Sequence, residues 1–141
     1  MIKRMKHSFK IPCSTEHLKD ARRFLNEVLS KYNLGDVNQS ALVLAVDEVC
    51  ANVIIHSCNL NPNMEIELNV GFEDRVLIFE IIDEGVASGF DISSYRGPDI
   101  DKLIKTGKKG GVGIMLVRKI MDKIEMDSQN GKNICRLYKN L

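Results

Sequence analysis

The sequence predicts an α+β fold: a two-layer sandwich in which a mixed, mostly antiparallel sheet carries its helices on one face. Three observations predict it. Helical patterns fill the first part of the chain, an alternating segment starts a hairpin near the middle, and a second hairpin closes the sequence. The chain has 141 residues, the length of one ordinary domain, so we expect residues 1–141 to form a single unit.

Composition narrows the possible functions. Hydrophobic residues make up 44% of the chain and the formal net charge is +1, which suits a folded protein and argues against direct nucleic-acid binding through a basic surface. No apolar run approaches the roughly 20 residues that span a bilayer. The start, MIKRMKHSFK, lacks the apolar segment of a signal peptide. We therefore expect a cytoplasmic protein without membrane contact.

The cysteines show neither C-x-x-C nor zinc-binding spacing, and most of them have apolar neighbours in the sequence. This pattern is typical of small buried thiols and not of disulfides. The expectation applies to all four: Cys13, Cys50, Cys58 and Cys135.

A strand and a helix are predicted at the start of the chain. Residues 5–11 alternate apolar and polar side chains and end at Pro12, which predicts a half-buried strand that looks like a sheet edge around Phe9. Ser14 or Thr15 can cap the helix that follows. Five apolar residues at helical spacing define its buried face: Leu18, Ala21, Leu25, Val28 and Leu29.

The second helix is expected to be buried. Asp36 and Gln39 form a capping-box-like pair at its start, and the helical pattern runs to about Ser57. From Ala41 to Val46 the segment is apolar nearly all round. A helix with that pattern has no face suited to water.

The central hairpin is the clearest prediction. Residues 64–72 alternate strictly between apolar and polar or small side chains, and a short Glu73-Asp74 turn leads to the apolar segment Val76–Ile82. From Asp83 to Gly111 the composition changes to glycine, serine, aspartate and lysine. A connection this long inside a compact domain is usually functional or disordered.

A third helix and a closing hairpin complete the chain. One helical face is expected to carry Leu116, Val117, Ile120, Met121 and Ile124. The hairpin then joins Glu125–Ser128 to Asn133–Tyr138 through the turn Asn130-Gly131.

Polar residues interrupt the second helix at regular intervals. Glu48, Asn52 and His56 are four residues apart and so line one ridge of a helix. A buried carboxylate and amide need partners, because an unpaired carboxylate in an apolar layer is very costly. The alternative is that the ridge faces solvent.

A second group lies where the central hairpin ends. Asp83 follows an apolar strand and is itself followed by Glu84-Gly85, which fixes a carboxylate at the mouth of the sheet. An ionised carboxylate only accepts hydrogen bonds, so it suits the recognition of an amino group. The alternative is an ordinary turn.

A third group precedes the last helix. Four of the seven residues from Gly107 to Gly113 are glycines, and Lys105, Lys108 and Lys109 add positive charge. Glycine backbone amides and a helix N-terminus favour an anion, although the residues fit neither a Walker A nor a Rossmann pattern. The alternative is a flexible surface loop.

In this order, the three groups resemble the Bergerat-type ATP-binding fold shared by gyrase, Hsp90, histidine kinases and MutL. The resemblance implies that Asn52 holds a magnesium ion, that Asp83 accepts from the adenine amino group, and that a lid at about residues 84–111 covers the phosphates. It assigns ATP-binding roles to eight residues: Asn52, Asp83, Gly85, Lys109, Gly110, Gly111, Val112 and Gly113.

Within this family, the length, the E-x-x-x-N-x-x-x-H pattern and the segment GGVGIMLVRKIMDKIE look most like the bacterial anti-sigma factor serine kinases. That likeness implies a homodimer that uses ATP and magnesium, with Glu48 as general base. It implies phosphorylation of an anti-sigma factor antagonist and sequestration of a sigma factor. The alternative is a non-catalytic module of the same fold, in which bound nucleotide alone selects the protein partner.

The sequence departs from the family in two places. The spacing from Gly85 to Gly89 is longer than the family's Asp-x-Gly-x-Gly, so Gly89 transfers less securely than Gly85. The last strand has no serine or threonine where relatives often place a hydroxyl near the adenine, and Asn133 and Cys135 are the polar candidates there.

His56 is expected to be a packing or supporting residue and not a catalyst.

Overall fold

The computed structural model describes residues 5–85 and 110–141. Five strands and three helices form these parts of the chain. In order they are β1 Met5–Pro12, α1 Leu18–Leu29, α2 Asp36–Asn52, β2 Glu65–Glu73, β3 Val76–Asp83, α3 Gly110–Ile120, β4 Lys123–Gln129 and β5 Lys132–Asn140. Short 3₁₀ turns lie at Thr15–His17 and Ser30–Tyr32, and a π-helical turn at Val53–Ser57 continues α2.

The strands form one sheet in the order β1-β2-β3-β5-β4. Each of the four strand pairs in the described residues is antiparallel, and the α+β prediction is confirmed. β1 lies at one edge, as its pattern predicts. The register places Asp83, the last residue of β3, directly opposite Asn133 on β5.

The core lies between the helices and one face of the sheet. Apolar side chains from all three helices and from β2, β3 and β5 form one buried cluster around Phe79, which is fully buried. The other face carries a polar group at its centre: Asn69 donates to Glu80 at 3.1 Å, and Arg136 donates to the second carboxylate oxygen of Glu80 at 3.0 Å. The three described helices pack on the core face, and the face of α1 predicted from the sequence is buried throughout.

α2 is the central helix of the core. The helical segment Asp36–Ser57 has 22 residues, and an 18-residue window within it has a mean hydropathy of 1.4, so by length and composition it could cross a membrane, but 56% of that window is buried inside the domain. Within the apolar run Ala41–Val46, Leu44 is 49% exposed, while its neighbours Leu42, Val43, Ala45 and Val46 are buried. Its apolar character is that of a core helix.

The predicted helix caps are not formed by side chains. Gly35, with φ 85°, precedes α2, and no side chain caps the helix, so the capping box of Asp36 and Gln39 is wrong. Instead, the Gln39 backbone N–H bonds to the carbonyl of Gly35 at 2.9 Å, and its side-chain amide donates to Asn26 of α1 at 3.1 Å. Ser14 likewise precedes the first 3₁₀ turn without a side-chain bond.

The two hairpin turns differ in how well the sequence predicts them. Asn130 and Gly131 have φ of 53° and 78° and form the predicted turn, since a two-residue turn of this hand needs positive φ at both positions. In the first hairpin the turn is Asp74-Arg75, with φ of 53° and 64°, one residue later than predicted. β2 accordingly extends through Glu73.

The end of α3 also differs from the prediction. The helix stops at Ile120, and Ile124 lies in β4 instead of on the helix. Helical spacing continued by chance into the strand, where Ile124 and Met126 pack against the core two residues apart. Residues 86–109 lie outside the described residues, and with them Gly89, Lys105, Lys108, Lys109 and most of the predicted lid.

The four cysteines are buried and form no disulfide with one another, as predicted. Burial raises the pKa of Cys13, Cys50 and Cys58. Raised pKa values suppress the thiolate, so these groups behave as apolar packing atoms.

Candidate functional site

Asp83 is a buried carboxylate at the end of β3, only 4% exposed. Its Oδ1 accepts three hydrogen bonds: from Ser57 Oγ at 2.5 Å, from the backbone N–H of Gly85 at 2.8 Å, and from Asn133 Nδ2 at 3.1 Å. These donors fix the carboxylate in one orientation. Within the described residues Oδ2 receives no such bond, so it is the atom that can accept from a ligand.

Each donor reaches Asp83 from a different element. Ser57 ends the π turn after α2, Gly85 follows β3, and Asn133 stands opposite Asp83 in the strand register. Asn133 also donates to the Gly85 carbonyl at 3.0 Å and thereby closes the group. The sequence left Asn133 and Cys135 as alternatives; Cys135 is buried opposite Ile81, farther along the strand, and Asn133 is the residue at the site.

Gly85 is required by close packing. A Cβ at this position would lie 2.6 Å from both the carbonyl carbon and the Oγ of Ser57, and nearer still to the Ser57 carbonyl oxygen. Backbone cannot move aside as a flexible side chain can. The glycine predicted to contact a ligand therefore also lets the chain cross the π turn and turn its N–H toward Asp83.

Asn52 and Glu48 form a second group, one helical turn apart on α2. Asn52 is 7% exposed, and its Nδ2 donates to the Glu48 carbonyl at 2.8 Å and to Glu48 Oε1 at 3.5 Å. Because the amide nitrogen is engaged, Oδ1 is the atom that Asn52 can offer to a metal ion. Burial raises the pKa of Glu48, and the negative charge of Asp47 raises it further, against the hydrogen bond from Asn52, which lowers it.

The predicted ridge ends at Asn52. His56 is exposed and does not continue the buried side of the ridge, while its expected supporting role stays a prediction. The π turn over Val53–Ser57 is the cause, because an i→i+5 pattern adds a residue to the turn and shifts the side chains that follow. Ser57, which the sequence analysis missed, takes the inward position instead.

α3 begins beside the Glu48 carboxylate. The predicted phosphate-binding residues Gly110, Gly111, Val112 and Gly113 form its first turn, where four backbone N–H groups have no partner within a helix. A Cβ at Gly113 would overlap the Glu48 side chain, 2.6 Å from its Cγ. The contact brings α2 and α3 together at the site, while Lys109 lies outside the described residues.

The geometry suits a ligand that has an amino group at one end and anionic groups at the other. Asp83 offers a fixed acceptor, and the start of α3 offers backbone donors and a partial positive charge. Glu48 and Asn52 lie on the helix whose π turn supplies Ser57 to Asp83, so one rigid element holds both groups of residues. A purine nucleotide has this distribution of polar groups.

Comparison with known proteins supports this interpretation. The sequence profile of the histidine kinase-like ATPase domain matches residues 11–139. A serine-protein kinase RsbW of Halalkalibacterium halodurans is 30% identical over 127 residues, which cover 86% of this chain and 75% of that protein. The protein of the same name in Bacillus subtilis is 28% identical over 132 residues, with coverage of 89% and 79%.

A solved structure shows the same fold. A chain of the SiaB-SiaC complex from Pseudomonas aeruginosa aligns with a TM-score of 0.62 over 97% of this chain and 91% of its own, at 13% sequence identity. That identity carries no more than the fold. The profile match and the relative at 30% identity go further, and they show that the chain belongs to the histidine kinase-like ATPase domain family.

Proposed function

We propose that this chain is an ATP-dependent serine protein kinase. One observation carries the proposal: α2 and its π turn bear Glu48, Asn52 and Ser57, and Ser57 binds the carboxylate of Asp83. One rigid element therefore carries the proposed general base, the amide that can bind a metal ion, and the hydroxyl that holds Asp83 in place. The relatives named serine-protein kinase support the same activity.

ATP is held at both ends of the site in this proposal. Oδ2 of Asp83 accepts from the adenine amino group, while the first turn of α3 binds phosphate oxygens through its backbone N–H groups. Asn52 would hold a magnesium ion, which neutralises phosphate charge when bound. The lid at about residues 84–111 closes over the nucleotide and contributes Lys109, and the remaining ATP-binding residues are Gly85, Gly110, Gly111, Val112 and Gly113.

Glu48 is the general base. It accepts the proton of the substrate serine as the hydroxyl attacks the γ-phosphate, and ADP leaves. Its half-buried position raises its pKa, which makes the carboxylate a stronger base than an exposed glutamate. Phosphoryl transfer depends chiefly on positioning and electrostatic stabilisation, so a base of this kind typically contributes about 10²–10⁴-fold.

The substrate and partner follow from the family resemblance. In this proposal the acceptor is a serine of an anti-sigma factor antagonist in the cytoplasm, and the same chain binds and sequesters a sigma factor. The relatives that are named serine-protein kinases align with most of this chain. Phosphorylation of the antagonist then decides how much kinase is free to bind the sigma factor.

The Glu48→Gln variant tests the catalytic proposal. The amide keeps the volume of the side chain but cannot take a proton, so single-turnover phosphate transfer to the antagonist should fall about 10²-fold or more while ATP affinity stays near that of the parent. Since the pKa of Glu48 is raised, the parent rate should increase with pH through a limb above the ordinary glutamate range. The variant should lack that limb.

Asp47→Asn is the matched control for Glu48→Gln. It removes a carboxylate from the neighbouring position of α2, where Arg22 donates to Asp47 at 3.1 Å. Because Asp47 contributes least to the raised pKa of Glu48, this variant should transfer phosphate at nearly the parental rate. Equal rates for Glu48→Gln and the parent would remove Glu48 from the mechanism. No transfer by the parent to a verified partner would leave the non-catalytic module as the function.

Asp83→Asn tests adenine recognition. Its oxygen can keep the three donors from Ser57, Gly85 and Asn133, which turns the amide nitrogen toward the adenine amino group and opposes donor to donor. The mispairing costs roughly 1–3 kcal/mol, so calorimetry should show ATP affinity reduced about tenfold or more in a folded protein. Glu84→Gln, at an exposed neighbouring position, should bind normally, and unchanged affinity in Asp83→Asn would refute the adenine assignment.

Asn52→Ala tests the magnesium assignment. Removing the amide should weaken ATP binding in the presence of magnesium and leave metal-free ADP binding nearly unchanged. Titrations with magnesium and with a chelator separate the two contributions. A large fall in the melting temperature of the ligand-free variant would instead indicate that Asn52 is a structural amide that fixes Glu48.

A homodimer is part of the proposal. Among the described strands, β1 pairs with β2 alone and forms an edge of the sheet, and an open edge favours pairing with another chain. Light scattering should therefore give twice the chain mass of 15.9 kDa. A monomer mass in concentrated solution would refute the dimer.

A further inference from the structure

Gly113 makes an unusual contact for a glycine assigned to phosphate binding. A Cβ built on it points at the side chain of Glu48, 2.6 Å from Cγ and nearer still to the carboxylate carbon and Oε1. Side chains do not approach this closely. The carboxylate of Glu48 therefore occupies the space that any larger residue at position 113 would fill.

What a larger residue displaces differs between this glycine and Gly85. At Gly85 the overlapped atoms include the backbone of Ser57, whereas at Gly113 they belong to the far end of a flexible side chain. α3 need not shift to admit a methyl group, because Glu48 can rotate away. A methyl group at position 113 would therefore displace the carboxylate and leave the packing of the helix intact.

Hydrogen bonds hold the carboxylate only weakly. Within the described residues it accepts one, from Asn52 Nδ2 at 3.5 Å, which is a long bond. Its orientation therefore depends on the shape of the surface it packs against. On α3 that surface is the bare backbone at Gly113.

We propose that Gly113 is a positioning residue for phosphoryl transfer, which acts through Glu48 by leaving the space in which the carboxylate lies beside Asn52. The inference rests on the proposed role of Glu48 as base. It assigns Gly113 a steric function separate from contact with phosphate oxygens. Misplacing a catalytic group by about 1 Å can cost about 10²-fold in rate.

The test is Gly113→Ala. Alanine is a better helix former than glycine, so the variant should fold. Single-turnover transfer should fall about 10²-fold, while calorimetry shows ADP affinity within about twofold of the parent. If Gly113→Ala lowered ADP affinity equally in the parent and in the Glu48→Gln background, Gly113 would act on the nucleotide directly. That result would overturn the proposal.

Two further variants show whether the effect passes through Glu48. In the Glu48→Gln background, Gly113→Ala should slow transfer little further. In the Glu48→Asp background the shorter side chain withdraws from the added methyl group, so Gly113→Ala should again have little effect. Additive losses in both backgrounds would contradict the proposal.

Melting temperatures give a readout that needs no kinase activity. Gly113→Ala should raise the melting temperature by more in the Glu48→Ala background than in the parent, because only there does the methyl group meet no carboxylate. Equal shifts would overturn the contact. If the shift in melting temperature depends on the residue at position 48 but the parent transfers no phosphate, the contact between Gly113 and Glu48 is supported and the kinase assignment is refuted.

Discussion

The buried carboxylate of Asp83 is the constraint on which the site depends. A charged group that is 4% exposed is tolerated only when donors replace its lost hydration. Here the donors come from the π turn, from the residue that leaves β3 and from β5. Satisfying one side chain therefore fixes the relative positions of three elements and leaves one carboxylate oxygen for a ligand.

α2 carries this constraint to the other end of the site. Ser57 must face Asp83 while Glu48 faces α3, and a regular α-helix would have turned His56 inward at the next four-residue step. The π turn at Val53–Ser57 changes that phase. The local distortion is the reason that one buried helix can serve both the proposed adenine acceptor and the proposed general base.

Much of this arrangement could be predicted from the sequence because it follows from local periodicity. Alternation in β2 and helical spacing in α1 give the layers, and the Asn130-Gly131 turn fixes the second hairpin. The π turn has no such signal, so the inward position of Ser57 was missed. Asn133 could have been chosen over Cys135 only through the β3–β5 register, a tertiary feature that brings it opposite Asp83.

The two ends of the site are held in different ways, and the difference suits their proposed roles. Asp83 has three donors on one oxygen, so the proposed recognition of adenine depends on a carboxylate that cannot reorient without losing hydrogen bonds. Within the described residues, Glu48 accepts one long bond from Asn52 and packs against Gly113. Burial raises its pKa, which strengthens it as a base. A carboxylate held by shape can follow the reacting hydroxyl, but the same freedom makes its position sensitive to a single methyl group on the neighbouring helix.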